Sequence, residues 1–95
     1  MVGEPNRNAA RKRLSELLVV GDVSFTAHAK AEMSKDKLTS LDVENVLRLG
    51  RILRVPEVHD GQWRYRVETD AIAVVVTMYE KKKEVRVITA WRARR

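Results

Sequence analysis

The chain has 95 residues, enough for one domain with a modest core and too few for two, and its 44% apolar and 34% charged residues fit a globular protein with a heavily ionised surface. It contains no cysteine, which excludes a disulfide framework and a thiolate zinc site, and its two histidines, His28 and His59, cannot alone close a structural metal site. The formal net charge of +6 is uneven: residues 51–95 carry eleven Lys and Arg against six Asp and Glu, an excess that favours polyanions such as nucleic acid, or an acidic protein, as partners.

From Asn8 to Val20 the apolar residues Ala10, Leu14, Leu17 and Leu18 recur at i, i+4, i+7 and i+8, one stripe of a helix, and Gly21 is expected to stop it in the left-handed conformation. Val23-Ser24-Phe25 reads as a short extended segment. Thr26 is placed to cap a second helix through Ala27 to Met33, with Ser34 to Lys37 as a frayed end or turn. Thr39 followed by Asp42 is an acidic variant of the capping box, and Val43, Val46 and Leu47 form the stripe of a third helix before Gly50.

After Gly50 the period changes. Arg51 to Val55 and Trp63 to Val67 favour alternating β-branched or aromatic positions and are expected to pair as a hairpin around the Asp60-Gly61 turn signal. Ala71 to Tyr79, a nearly continuous valine-rich run, has the composition of a central strand buried on both faces. That run is far shorter than the roughly 20 residues that span a bilayer, and the N-terminus never reaches an apolar signal core, so a cytoplasmic location is expected by default. Glu80 to Glu84 reads as a solvated turn and Val85 to Trp91 as the last strand. The expected fold class is α+β: a single domain, residues 1–95, of three N-terminal helices packed on a mainly antiparallel four-stranded sheet.

Four motifs stand out: Phe25-Thr26-x-His28-Ala29-x-x-Glu32-Met33, Leu38-Thr39-x-x-Asp42-Val43-x-x-Val46-Leu47-x-x-Gly50, Gly61-x-Trp63-Arg64-Tyr65-Arg66-Val67, and Val87-Ile88-Thr89-Ala90-Trp91-Arg92. In these the chain resembles a family of small bacterial proteins, described as a domain of unknown function, that sits near the MqsR and RelE type toxins of toxin–antitoxin pairs. The resemblance implies an endoribonuclease that cuts messenger RNA without metal or other cofactor and is held inactive by a cognate antitoxin, encoded by the adjacent gene. The chain departs from MqsR-like enzymes, which use lysine, glutamine and tyrosine on the sheet, by offering Arg64 beside Trp63 and Arg92 after Trp91. Glu32 and Asp36 make the middle helix acidic, and no RNA contact is expected there.

Metal-free RNA cleavage needs a base near the 2′-hydroxyl, cations for the phosphate and an acid for the leaving 5′-oxygen. Strand alternation sends Trp63, Tyr65 and Val67 to one face and Arg64 and Arg66 to the other, and in the last strand Arg86, Ile88, Ala90 and Arg92 to one face and Val85, Val87, Thr89 and Trp91 to the other. Arg64, Arg66, Arg86 and Arg92 are therefore expected to share an open face. Arginine holds phosphate well but is a poor proton carrier near neutrality, so the expected catalytic set is His28, Arg64, Tyr65 and Arg92, with Arg66, Arg86, Lys82, Arg94 and Arg95 as RNA contacts. Each has a plainer alternative: His28 as a capping or packing residue, Trp63, Tyr65 and Trp91 as core, Lys81 to Lys83 as a solvated tip, and Arg92 to Arg95 as a tail. His59 beside Asp60 reads as a turn residue. A non-enzymatic module that binds RNA or an acidic protein through the basic sheet is the alternative function.

Overall fold

The computed structural model describes residues 5–93, so Arg94 and Arg95 lie outside the described residues. Helix α1 spans Arg7–Val20, strand β1 Asp22–Phe25, helix α2 Ala27–Lys35 and helix α3 Ser40–Leu49; strands β2 (Glu57–His59), β3 (Gln62–Glu68), β4 (Ile72–Tyr79) and β5 (Glu84–Arg92) follow. The fold is mixed α+β with three helices and one sheet of five strands, ordered β1-β5-β4-β3-β2. Four strands were expected. The fifth is β1, which runs parallel to β5 with Val23 opposite Val85 and Phe25 opposite Val87, a pairing between residues 62 apart that local pattern does not encode. The other pairings are antiparallel.

The helices form where caps and stripes direct them. Asn6 accepts from the Asn8 and Ala9 amides at the start of α1, Thr26 from the Ala29 amide at the start of α2, and Thr39 and Asp42 close a reciprocal capping box on α3. Leu14 and Leu17 of α1, Ala29 and Met33 of α2, and Val43, Val46 and Leu47 of α3 enter one core with Tyr65, Val67, Val74, Val76, Val85, Val87 and Ala90 of the sheet. Helix α2 ends with Lys37 in the left-handed region, φ 55°, while the Leu38 amide reaches back to the Met33 carbonyl and the Lys37 amide to that of Ser34.

Gly21 does not act as expected. Its φ of −119° is extended rather than left-handed, and the reason for glycine is space: a Cβ there would sit 2.0 Å from the Lys83 carbonyl oxygen, against which the Asp22 amide hydrogen-bonds. The hairpin partner of β3 also differs. Asp60 and Gly61, both at positive φ, make a two-residue turn, and this fixes His59 opposite Gln62, Val58 opposite Trp63 and Glu57 opposite Arg64. Pro56, immediately before β2, has no amide to donate, and Arg51 to Val55 lie outside the ladder apart from one bridge between Arg51 and Glu68.

The largest departure is in β5. Val76 pairs with Val87 but Val75 pairs with Thr89, so Ile88 is an extra residue, a β-bulge. Its carbonyl accepts a hydrogen bond from the Thr26 hydroxyl at 3.0 Å. One extra residue reverses the alternation beyond it. Ala90 is therefore buried among the helices, Arg92 follows it to the helical side, and Thr89 and Trp91 move to the opposite face, the reverse of the simple alternation.

Candidate functional site on the open sheet face

All three helices share the core with one face of the sheet; the other face carries no described helix. On this open face Arg66 stands opposite Val75, which stands opposite Thr89, and Glu68 stands opposite Ala73, which stands opposite Trp91. Val75 and Ala73 of β4 thus lie between Arg66 and Glu68 of β3 on one side and Thr89 and Trp91 of β5 on the other. Arg66 reaches across β4 and lays its guanidinium 4.9 Å from the centre of the Trp91 ring, bridging two strand spacings, about 9.6 Å. Beneath this bridge Ala73 is fully buried.

A groove of about 330 Å³ opens beside the bridge, lined by Arg54, Val55, Glu57, His59, Arg64, Arg66, Val75, Ile88, Thr89 and Trp91. Two of the lining arginines are paired with Glu68. Its Oε2 lies 3.3 Å from Arg66 Nε and 3.6 Å from Arg54 Nε. The Arg66 and Glu68 atoms are buried and too poorly aligned for a hydrogen bond, so the attraction between them is ionic. Arg64 makes no hydrogen bond or ion pair with another described residue, which leaves its planar fork available.

Further along the same face Arg86 stacks on Tyr79, 4.6 Å from the ring centre, and donates from Nε to Glu84 at 2.9 Å. Glu84 also accepts from the Ser24 hydroxyl. The Ser24 hydrogen bond first, and Arg86 second, hold the Glu84 carboxyl below its ordinary pKa, and the same Glu84 contact raises that of Arg86. Lys82 at the exposed β4–β5 turn stands 5.5 Å from the Tyr79 ring.

The nominated residues are divided between the two sides of the sheet. Arg64, Arg66 and Arg86 share the open face as expected. Arg92 does not: its backbone amide donates to Asp36 Oδ2 at 2.7 Å, its Nε to the Asp36 carbonyl at 2.9 Å and its NH2 to the Lys37 carbonyl at 3.3 Å, so it braces the end of α2. Tyr65 points into the core, 8% exposed, and burial raises the pKa of its phenol. His28 is exposed on α2, in the helical layer. Trp63 packs against the core, whereas Trp91 is the aromatic that the open face gains.

The groove also contains His59, expected as a turn residue, and Glu57, for which no role was expected. His59 Nε2 lies 3.4 Å from Glu57 Oε1, and both line the groove with Arg64. The signal was present: an Asp-Gly pair taken as a two-residue turn places Glu57 opposite Arg64, hence on the same face. Among the described residues no group of three or more His, Asp or Glu side chains is arranged to hold a metal ion, and no described helix is long and apolar enough to cross a membrane.

A family model described as a domain of unknown function (DUF4258) matches residues 25–92. The matched segment runs from the last residue of β1 to the last of β5 and holds every residue of the groove. No curated protein and no solved structure matches the chain.

Proposed function

The chain belongs to the DUF4258 family, and from the surface that the matched segment builds we propose that it binds single-stranded RNA along its open sheet face and cleaves it without metal, as the toxin of a toxin–antitoxin pair in the cytoplasm. The carrying observation is the groove, where the free fork of Arg64 and the stacked guanidinium of Arg66 stand beside the Trp91 ring. Guanidinium groups bind phosphate oxygens in pairs, and an aromatic ring gives an unpaired base a face to stack on. The resemblance of the motif strands to MqsR and RelE type toxins supports the cleavage step, and the net charge of +6 supports a polyanionic partner. The antitoxin in this reading is the product of the adjacent gene, covering the same face with an acidic segment.

Purified protein incubated with a long unstructured RNA in chelator is expected to cut it, and Arg64→Ala to suppress the cutting. Binding to a non-cleavable oligonucleotide should weaken with salt, by about 0.7 in log K per log salt for each phosphate contacted, and Arg64→Ala should reduce that slope by roughly one contact. Binding without cutting would select the alternative, a non-enzymatic RNA-binding module. Absence of both would reject an RNA function. Charge reversal of Arg64 and Arg66 should also abolish a stoichiometric complex with the adjacent gene's product.

A further inference from the structure

We infer that His59 is the general base of this cleavage and that Glu57 is the carboxylate that positions it; the inference rests on the RNA reading above. The hairpin register places both side chains on the open face, with Glu57 directly opposite Arg64. They line one groove with Arg64, Arg66 and Trp91. Glu57 Oε1 lies 3.4 Å from His59 Nε2, a contact that orients the ring and leaves Nδ1 for substrate. The His59 side chain is 46% exposed, so a ribose can reach it. The other proton carriers are badly placed: Tyr65 is buried on the core side and His28 belongs to the helical layer.

The chemistry closes with these groups. Neutral His59 accepts the proton of a ribose 2′-hydroxyl, the 2′-oxygen bonds to phosphorus, and the bond from phosphorus to the 5′-oxygen breaks. The leaving oxygen takes a proton from water at the open mouth of the groove. Glu57 stabilises the imidazolium until it returns its proton to solvent, and Arg64 and Arg66 hold the non-bridging oxygens as charge builds on them. The products are a 2′,3′-cyclic phosphate and a 5′-hydroxyl. The charged groups that line the groove with the imidazole are Glu57 on its own strand, Arg64 and Arg66 on β3 and Arg54 in the preceding loop.

The test uses the full chain with a fluorescent RNA oligonucleotide and its all-2′-deoxy counterpart, which binds but cannot react. His59→Ala is expected to lower the cleavage rate about 100-fold or more at unchanged affinity for the deoxy strand and unchanged thermal midpoint, because the residue is exposed. His28→Ala should leave rate and affinity as they were. Glu57→Gln should slow cleavage about 10-fold at unchanged affinity for the deoxy strand and unchanged thermal midpoint, and Glu57→Asp should restore part of the rate; a merely structural Glu57 would lower the midpoint and leave the rate per folded molecule as it was. A wild-type protein that cleaves with His59→Ala equally active overturns the inference and leaves the RNA reading standing. One that binds both strands and cuts neither overturns the inference and the cleavage step while leaving RNA binding, and one that binds neither removes both.

Discussion

Arginine is one residue type with two occupations in this protein, and the difference lies in what its fork meets. Arg11 donates to the Leu47 and Gly50 carbonyls at the end of α3, and Arg92 to the Asp36 and Lys37 carbonyls at the end of α2, so both satisfy helix C-termini whose last carbonyls lack partners. Burial lowers the Arg11 pKa, a sign that this guanidinium belongs to the structure and not to the solvent. Arg64 has no such employment. Arg92→Ala is therefore expected to destabilise the fold by about 1–2 kcal/mol, since it strips charged hydrogen bonds from backbone acceptors. Arg64→Ala should leave the urea midpoint unchanged and act on RNA binding and cleavage instead. Parallel urea titrations of the two variants check the division; an Arg92→Ala protein as stable as wild type would show that its contacts are replaced by water without cost.

At the scale of elements, the bulge at Ile88 decides the site. Without it Trp91 would lie under the helices and Arg92 on the open face; with it the aromatic ring joins the groove and the arginine reaches α2. Thr26 links this irregularity to the helical layer, because its hydroxyl donates to the Ile88 carbonyl while accepting from the Ala29 amide, both at 3.0 Å. Thr26→Val keeps the shape and removes both bonds. We expect a loss of about 1–2 kcal/mol from the cap and the stranded carbonyl, and none for Thr26→Ser, measured by chemical denaturation. Because the bulge orients Trp91, Thr26→Val should also perturb the Trp91 indole signal in a heteronuclear NMR spectrum more than that of Trp63.

For the whole molecule, the acidic groups that matter to stability are those tied into hydrogen bonds. The Thr39 amide and hydroxyl hold the Asp42 carboxyl below its ordinary pKa, and Ser24 and Arg86 do the same for Glu84. A carboxyl depressed in the folded state stabilises the fold above its unfolded pKa, about 4, and that contribution is lost as the pH falls through the folded value. Both groups are close to solvent, so screening keeps the effect modest. The thermal midpoint is expected to be level from pH 7 to about 5 and to fall below about 4, with a shallower fall in Ser24→Ala, which removes the larger of the two hydrogen bonds that depress Glu84. A midpoint that rises on acidification would contradict the sign. At the alkaline end the raised phenol of buried Tyr65 acts in the other sense: the unfolded chain ionises first, so stability declines above about pH 10.

The sequence by itself determined what is local. Caps such as Thr39 with Asp42, the stripes of α1 and α3, the valine run of β4 and the Asp60-Gly61 turn each act within a few residues, and the three helices and strands β3 to β5 follow from them. The placing of Arg64 and Arg66 opposite Tyr65 and Val67 followed too, since side-chain alternation in a regular strand is geometric. Only the tertiary structure decided the parallel addition of β1 to β5 and the bulge that exchanges Trp91 for Arg92. In both cases the deciding contact joins residues about 60 apart, Val23 to Val85 and Thr26 to Ile88, and no local pattern carries a bond of that span. The basic half of the chain was legible from its composition; which of its arginines face solvent was settled by where one extra residue interrupts a strand.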